Sequence, residues 1–220
     1  MKTEELMCYF KELFGNNPKC ELNYKTDIDL LVAIILSAQC TDKRVNMVTE
    51  KLFKKYKTVK DYANADIKEL ENEIHSCGFY RNKAKNIINM AKQYNEQKTV
   101  EELIKLPGVG RKTANVFLAE WHKVPAIAVD THVIRVSNRL GFTKSENPDV
   151  IERDLMRLID RKEWRFVNMF MVLFGRYYCK AVNPACDNCK LGLQCNYVFR
   201  QSRNNDKSRQ RRQRACVILP

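Results

Sequence analysis

Glycine and proline are scarce, with seven and six among 220 residues, about half the usual share. That scarcity favours long regular elements and excludes a collagen-like repeat or a many-stranded sandwich. Long apolar runs are missing too. The longest, Leu30 to Leu36, has seven residues, against about 20 for a bilayer span. The acidic start at Glu4 and Glu5 leads into no apolar segment of the secretory kind. A cytoplasmic protein is therefore expected, nucleoid-associated if bacterial, with no membrane partner. No internal repeat and no sustained period-two alternation occurs, so nothing points to strands.

What is present is helical periodicity. Apolar residues make up 45% of the chain, enough for a sizeable core. Residues 27–38 (DIDLLVAIILSA) are almost continuously apolar after an acidic start, which predicts a buried helix. Ala84, Ile87, Ile88, Ala91 and Tyr94 recur at three- and four-residue spacing and predict an amphipathic helix over 80–95. Asn147, Pro148 and Asp149 suit an N-cap, a first helical residue and an acidic first turn. Trp164, Val167, Phe170, Met171 and Phe174 mark another buried helix over 162–178. The expected fold is all-α, with roughly ten helices.

Acidic residues are outnumbered. Lys and Arg total 39 against 26 Asp and Glu, a formal net charge of +13, which points to a polyanion partner. Residues 200–214 hold seven basic residues and one acid. Residues 200–220 are expected to be a disordered basic tail that adds nonspecific phosphate attraction.

Residues 106–113 read LPGVGRKT. One helix is expected to end near Lys105 and another to run from Arg111 to about His122. Gly108 and Gly110 let the backbone turn tightly and approach a ligand with no Cβ in the way. The turn amides and the following helix N-terminus then suit an anion. This helix–hairpin–helix pattern grips a DNA phosphate without reading sequence. A plain inter-helix turn with a glycine cap is the alternative, outweighed by the chain's charge and the glycine spacing.

Arg111 and Lys112 fall in the first turn of the second helix, where the dipole disfavours a cation. Burial acts in the same direction, so Lys112 is expected to be a neutral amine for part of the time. Such an amine suits Schiff-base chemistry. Taken alone, the pair reads equally as two phosphate contacts. Asp130 follows the apolar run 124–129 and precedes THVIRV, so it reads as a helix N-cap. Held ionised there, it also supplies a fixed negative charge.

Nine cysteines, an odd number without a signal peptide, argue against a disulfide framework. Cys8, Cys20, Cys40 and Cys77 are scattered and read as small buried hydrophobes. Cys216 stands fifth from the end, one place too far for a prenylation box. The run Cys179-x6-Cys186-x2-Cys189-x5-Cys195 asks for a metal centre. Only Cys186 and Cys189 form the tight pair that zinc sites use twice, and the Cys-Pro closing a ferredoxin run is absent. Spacing alone leaves zinc and iron–sulfur open.

The motifs together resemble endonuclease III, the bifunctional DNA glycosylase/AP lyase family of the helix–hairpin–helix superfamily. LSAQCTD at 36–42, LPGVGRKTAN at 106–115, VDTH at 129–132 and the cysteine run match the family pattern in order, over about residues 1–199. The resemblance implies a six-helix barrel at 20–124 and a [4Fe–4S] cluster domain at 1–19 and 125–199, held by the four cysteines of the run. It places the catalytic pair at Lys112 and Asp130, from different domains, in the cleft between them. It puts Gln39 where the family fills the gap left by an everted nucleotide, and His132 on the DNA-facing cleft. Phe79 stands where relatives carry an aliphatic wedge, so its ring is a departure. The partner implied is damaged double-stranded DNA, oxidised pyrimidines foremost, and the protein is expected to act as a monomer. A monofunctional relative would lack a lysine at the place of Lys112. A noncatalytic DNA-binding module would need neither Lys112 nor Asp130, and a plain ferredoxin would lack the hairpin.

Overall fold

The computed structural model describes residues 3–18 and 20–198, the side chain of Leu193 excepted. The basic run 200–214 and Cys216 lie outside the described residues. Among the described residues there are eleven α-helices, four short 3-10 helices and no strand. In chain order the α-helices are α1 (Thr3–Phe14), α2 (Asp27–Ser37), α3 (Asp42–Lys55), α4 (Val59–Ala63), α5 (Ile67–Ile74) and α6 (Tyr80–Gln93). There follow α7 (Val100–Leu103), α8 (Arg111–Glu120), α9 (Thr131–Leu140), α10 (Pro148–Leu158) and α11 (Trp164–Tyr177). The helices expected over 27–38, 80–95 and 162–178 are α2, α6 and α11. No helix among the described residues is long and apolar enough to cross a membrane.

The chain divides into two compact units. The first comprises the described residues of Lys19–Ala128 with Trp164–Phe166. Its centre is α2, which packs against α3, α6 and α8. Leu30, Leu31, Val32, Ala33 and Leu36 of α2 are fully buried, as their unbroken apolar run requires. A helix buried on all sides needs its start satisfied internally. Thr26 accepts from the Asp29 amide, and the Asp29 carboxylate accepts from the amides of Lys25 and Thr26, each at 3.1 Å. This capping box explains how the buried Asp29 is tolerated.

The second unit comprises the described residues of Met1–Pro18, Val129–Glu163 and Val167–Pro220. Its core holds a cluster of aromatic rings among aliphatic side chains. Phe10 of α1 lies 5.1 Å from Phe174 and 5.7 Å from Phe170 of α11, centroid to centroid, distances at which rings attract beyond their buried area. Asn147 caps α10 by accepting from the Asp149 and Val150 amides, with Pro148 as first helical residue.

The scattered cysteines depart from expectation. Cys77 is buried, Cys20 and Cys40 are partly buried, and Cys8 is exposed. Cys8 lies on the outer side of α1, whose buried residues are Leu6, Met7, Tyr9 and Phe10.

Candidate functional site

In the first unit the hairpin runs from the end of α7 to the start of α8. Leu106 and Val109 point inward, 4% and 5% exposed, while Gly108 and Gly110 stand exposed between and after them. Gly108 has φ +79°, and a Cβ there would meet Asn86 of α6 at 2.9 Å. It is glycine for two reasons, backbone hand and close packing. Gly110 differs: its φ is −87°, and a Cβ would meet nothing within 4 Å. No demand of the fold explains that glycine.

Gly110 is also the N-cap of α8 and offers no side chain to the first-turn amides. Side-chain oxygens cap α2, α3, α4, α5, α7, α9 and α10. Lys112 is the second residue of α8, next to Arg111. The expected burial of Lys112 is not found: its side chain, like that of Arg111, is exposed. Its seat in the first turn of the helix is the feature that holds.

Four exposed non-glycine residues of this unit carry left-handed backbone, Gln39 and Phe79 beside Glu96 and Lys123. Gln39, just after α2, has φ +54°, and Phe79, the N-cap of α6, has φ +47°. Neither is glycine, and such conformations cost roughly 1–3 kcal/mol each. Gln39 is exposed, and the Phe79 ring is 64% exposed despite its size. Both project where water, or a ligand, meets them.

Lys83, which the periodicity hid, lies beneath these two turns. It is 5% exposed and donates to the carbonyls of Leu36 (2.8 Å), Ala38 (2.8 Å) and Cys77 (2.9 Å). Burial pushes its amine down, and the thiols of Cys77 and Cys40 push the other way. Burial, followed by the adjoining Cys40 thiol, lifts the Cys77 thiol to about 11. The sequence signal was a lysine on the apolar stripe of α6, one turn before Ile87.

In the second unit Asp130 caps α9 as expected. One carboxylate oxygen accepts from the His132 and Val133 amides at 2.9 Å each, and the other lies 3.4 Å from His132 Nδ1. The side chain stays 16% exposed. Two amide donors and a helix N-terminus suit an ionised carboxylate. His132 is held from behind by Gly175 of α11, where a Cβ would meet its ring at 3.0 Å.

The other end of α9 reaches the cysteine run. Arg135 donates to the carbonyls of Gly175 (2.8 Å) and Cys179 (3.1 Å). Arg139 donates to Cys179 Sγ at 3.3 Å and to the carbonyls of Lys180 and Ala181, and its guanidinium lies over Tyr197. Cys195 is buried and its thiol donates to the Arg139 carbonyl at 3.3 Å. Cys179, Cys186, Cys189 and Cys195 line one cavity, walled by Leu140, Phe174 and Tyr178 among others. Burial, then the neighbouring thiols, raise Cys186, and burial raises Cys189. Among the described residues no three Cys, His, Asp or Glu side chains converge closely enough to hold a single metal ion.

The family model described as "HhH-GPD superfamily base excision DNA repair protein" matches residues 32–161. Endonuclease III of Bacillus subtilis (strain 168) is 45% identical over 196 residues, 86% of this chain and 88% of that protein. A solved non-covalent endonuclease III–DNA complex superposes with a TM-score of 0.85 at 43% identity, covering 91% of this chain and 97% of that one. A trapped endonuclease III–DNA covalent intermediate gives 0.84 at 42% identity, covering 92% and 99%. The all-helical fold, the glycine hairpin and these relatives agree, and the chain belongs to the HhH-GPD superfamily of base excision DNA repair proteins, within its endonuclease III family.

Proposed function

We propose that this chain excises damaged pyrimidines, oxidised ones foremost, from duplex DNA and then cuts the strand 3′ to the lesion by β-elimination. The observation that carries the proposal is Lys112, an exposed amine in the first turn of α8 directly after a hairpin whose outer glycine faces open space. A relative trapped as a covalent DNA intermediate is what an amine nucleophile gives. In this reading residues 20–124 form the DNA-gripping domain, and 1–19 with 125–199 the cluster domain. One chain carries every group the reaction needs, so no second copy is required.

The reaction begins with extrusion of the damaged nucleotide, which costs a few kcal/mol and is cheapest where pairing is already weak. Phe79 wedges the stack and Gln39 fills the gap. The hairpin amides around Gly108 and Gly110, with Arg111, hold a backbone phosphate, and His132 contacts the DNA. The Lys112 amine attacks C1′ as the C1′–base bond breaks, and the base leaves with that electron pair and takes a proton. Asp130 steadies the cationic sugar and accepts a proton from the attacking amine. The nitrogen lone pair then forms the C=N bond as the C1′–O4′ bond breaks and O4′ takes a proton, and the resulting ring-opened iminium acidifies the C2′ proton. Its removal expels the 3′ phosphate.

The four cysteines fit a [4Fe–4S] cluster. The Cys-x6-Cys-x2-Cys-x5-Cys spacing is the one that the resemblance to endonuclease III ties to such a cluster rather than to zinc, and the four side chains line one cavity. Such a group, when bound, ties together a loop with little core of its own and offsets the mutual repulsion of four thiolates. Arg139 would keep its hydrogen bond on Cys179. About four irons per chain and broad absorbance near 400 nm are the expected results on purified protein. Stoichiometric zinc without colour would contradict them. Cys186→Ser should lose iron and fold poorly, while the exposed Cys8→Ser should keep both.

The two hairpin glycines separate folding from binding. Gly110→Ala should change stability by less than about 1 kcal/mol, because its φ is ordinary, its Cβ meets nothing, and the chain entropy it removes offsets the poorer N-cap. It should weaken duplex binding about tenfold or more, equally across sequences. Gly108→Ala should instead destabilise by roughly 1–3 kcal/mol. Unchanged affinity in a folded Gly110→Ala would reduce the hairpin to a turn.

The proposal as a whole is tested with duplexes carrying single defined lesions, each incubated with and without borohydride. Adducts and 3′ cuts are expected on oxidised pyrimidines and not on undamaged DNA. Binding without excision on every lesion would leave a noncatalytic DNA-binding protein.

A further inference from the structure

We infer that Lys83 is a positioning residue that locks Gln39 and Phe79 into one rigid probe, so that the enzyme can open a paired lesion. The inference rests on the assignment of those two side chains to base extrusion. An ammonium group has three donors, and each Lys83 donor meets a backbone carbonyl at 2.8–2.9 Å. Two of the carbonyls lead straight into the probing turns. Ala38 precedes Gln39, and Cys77 precedes Gly78 and Phe79. The third, Leu36, belongs to the last turn of α2, where the negative end of the helix dipole suits a cation. Lys83 itself sits in the first turn of α6, whose N-cap is Phe79, and its amide closes that turn onto the Phe79 carbonyl at 3.0 Å. One side chain thus joins the end of α2, the 3-10 turn His75–Cys77 and the start of α6.

Lys83 gives partners to three carbonyls that an apolar side chain would leave unpaired, so it contributes stability despite the desolvation of its cation. What the ammonium adds beyond stability is directional. It fixes the carbonyls before two left-handed residues, φ +54° and φ +47°, which would otherwise relax toward commoner conformations. Exposed tips on separately hinged turns would yield when pressed against a base stack. Tips braced through one buried cation transmit the force of binding to it. A preformed abasic site has no base to unstack and makes little demand on this brace.

The test compares single-turnover base removal from a paired lesion with cleavage of a preformed abasic site, using the whole protein. Lys83→Met is expected to lower the first by at least about tenfold and the second by less than about twofold. A merely destabilising change would lower both alike through the active fraction. The combined variant Gln39→Ala, Phe79→Ala should shift the same ratio in the same direction. If it does not, the assignment of those residues falls and the inference with it. If it does and Lys83→Met leaves the ratio unchanged, the inference alone is wrong. Should Lys83→Met not fold, hydrogen exchange in the unaltered protein decides. The amides of Cys40 and Gly78, bonded to the Ser37 and His75 carbonyls, are expected to open together as one unit. Free exchange of one while the other stays protected overturns the inference.

Discussion

Lys112→Gln should bind damaged duplex yet form no borohydride-trapped adduct and make no strand cut. Its side chain is exposed, so no packing is lost, and glutamine and lysine have similar helix propensities. Removing a cation from the first turn of α8 even relieves a small dipole penalty, roughly 0.3–1 kcal/mol. The fold therefore stays intact, and the loss is chemical. Without the amine no Schiff base forms, and strand cleavage should fall by at least about 10³-fold. Binding should lose about one unit of salt slope if the ammonium also touches a phosphate. A trapping assay on one defined lesion, with a gel-shift titration beside it, reads both quantities.

Asp130→Asn is expected to lower base removal by about 10²–10³-fold while melting close to the parent protein. The contrast follows from what the carboxylate does in the structure. One oxygen accepts the His132 and Val133 amides, a task asparagine performs as well as aspartate. What asparagine lacks is the negative charge that steadies a sugar cation. Asp130→Ala loses both functions. It should show the same fall in activity, together with about 0.5–2 kcal/mol of lost cap energy, or roughly 1–8 °C in melting temperature. The pair of variants separates cap from catalyst. An Asn variant with full activity beside an Ala variant that loses only stability would reduce Asp130 to a helix cap.

The sequence displays helices more plainly than surfaces. The apolar run of α2, the stripe of α6 and the Asn147-Pro148 start of α10 are local signals, and each element begins within a residue or two of its expected place. The Asp130 cap was equally legible, because a cap needs only its own neighbours. The sequence puts Lys112 in the first turn of α8, where the structure has it, but its exposure depends on what packs nearby, which periodicity does not encode. The left-handed turns at Gln39 and Phe79 were hidden because neither residue is a usual turn-former. Of the two turns only Gly78 gave a hint. Lys83 is inconspicuous in the sequence for a related reason. A lysine between apolar positions reads as a solvated interruption until its three carbonyl partners, drawn from two separate segments, are seen. Spacing marked the four cysteines as a set, and the structure adds that they share one cavity, with Arg139 of α9 on Cys179.

The central claim is that the Lys112 amine is the nucleophile. Its most direct test is to trap the protein on a lesion-bearing duplex with borohydride, digest the adduct with trypsin and nuclease, and locate the modified residue by mass spectrometry. Trypsin does not cut after a modified lysine, so the account predicts one sugar-bearing peptide running from Lys112 to Lys123 with the addition on Lys112. An adduct on any other lysine, or on the N-terminal amine, would contradict it.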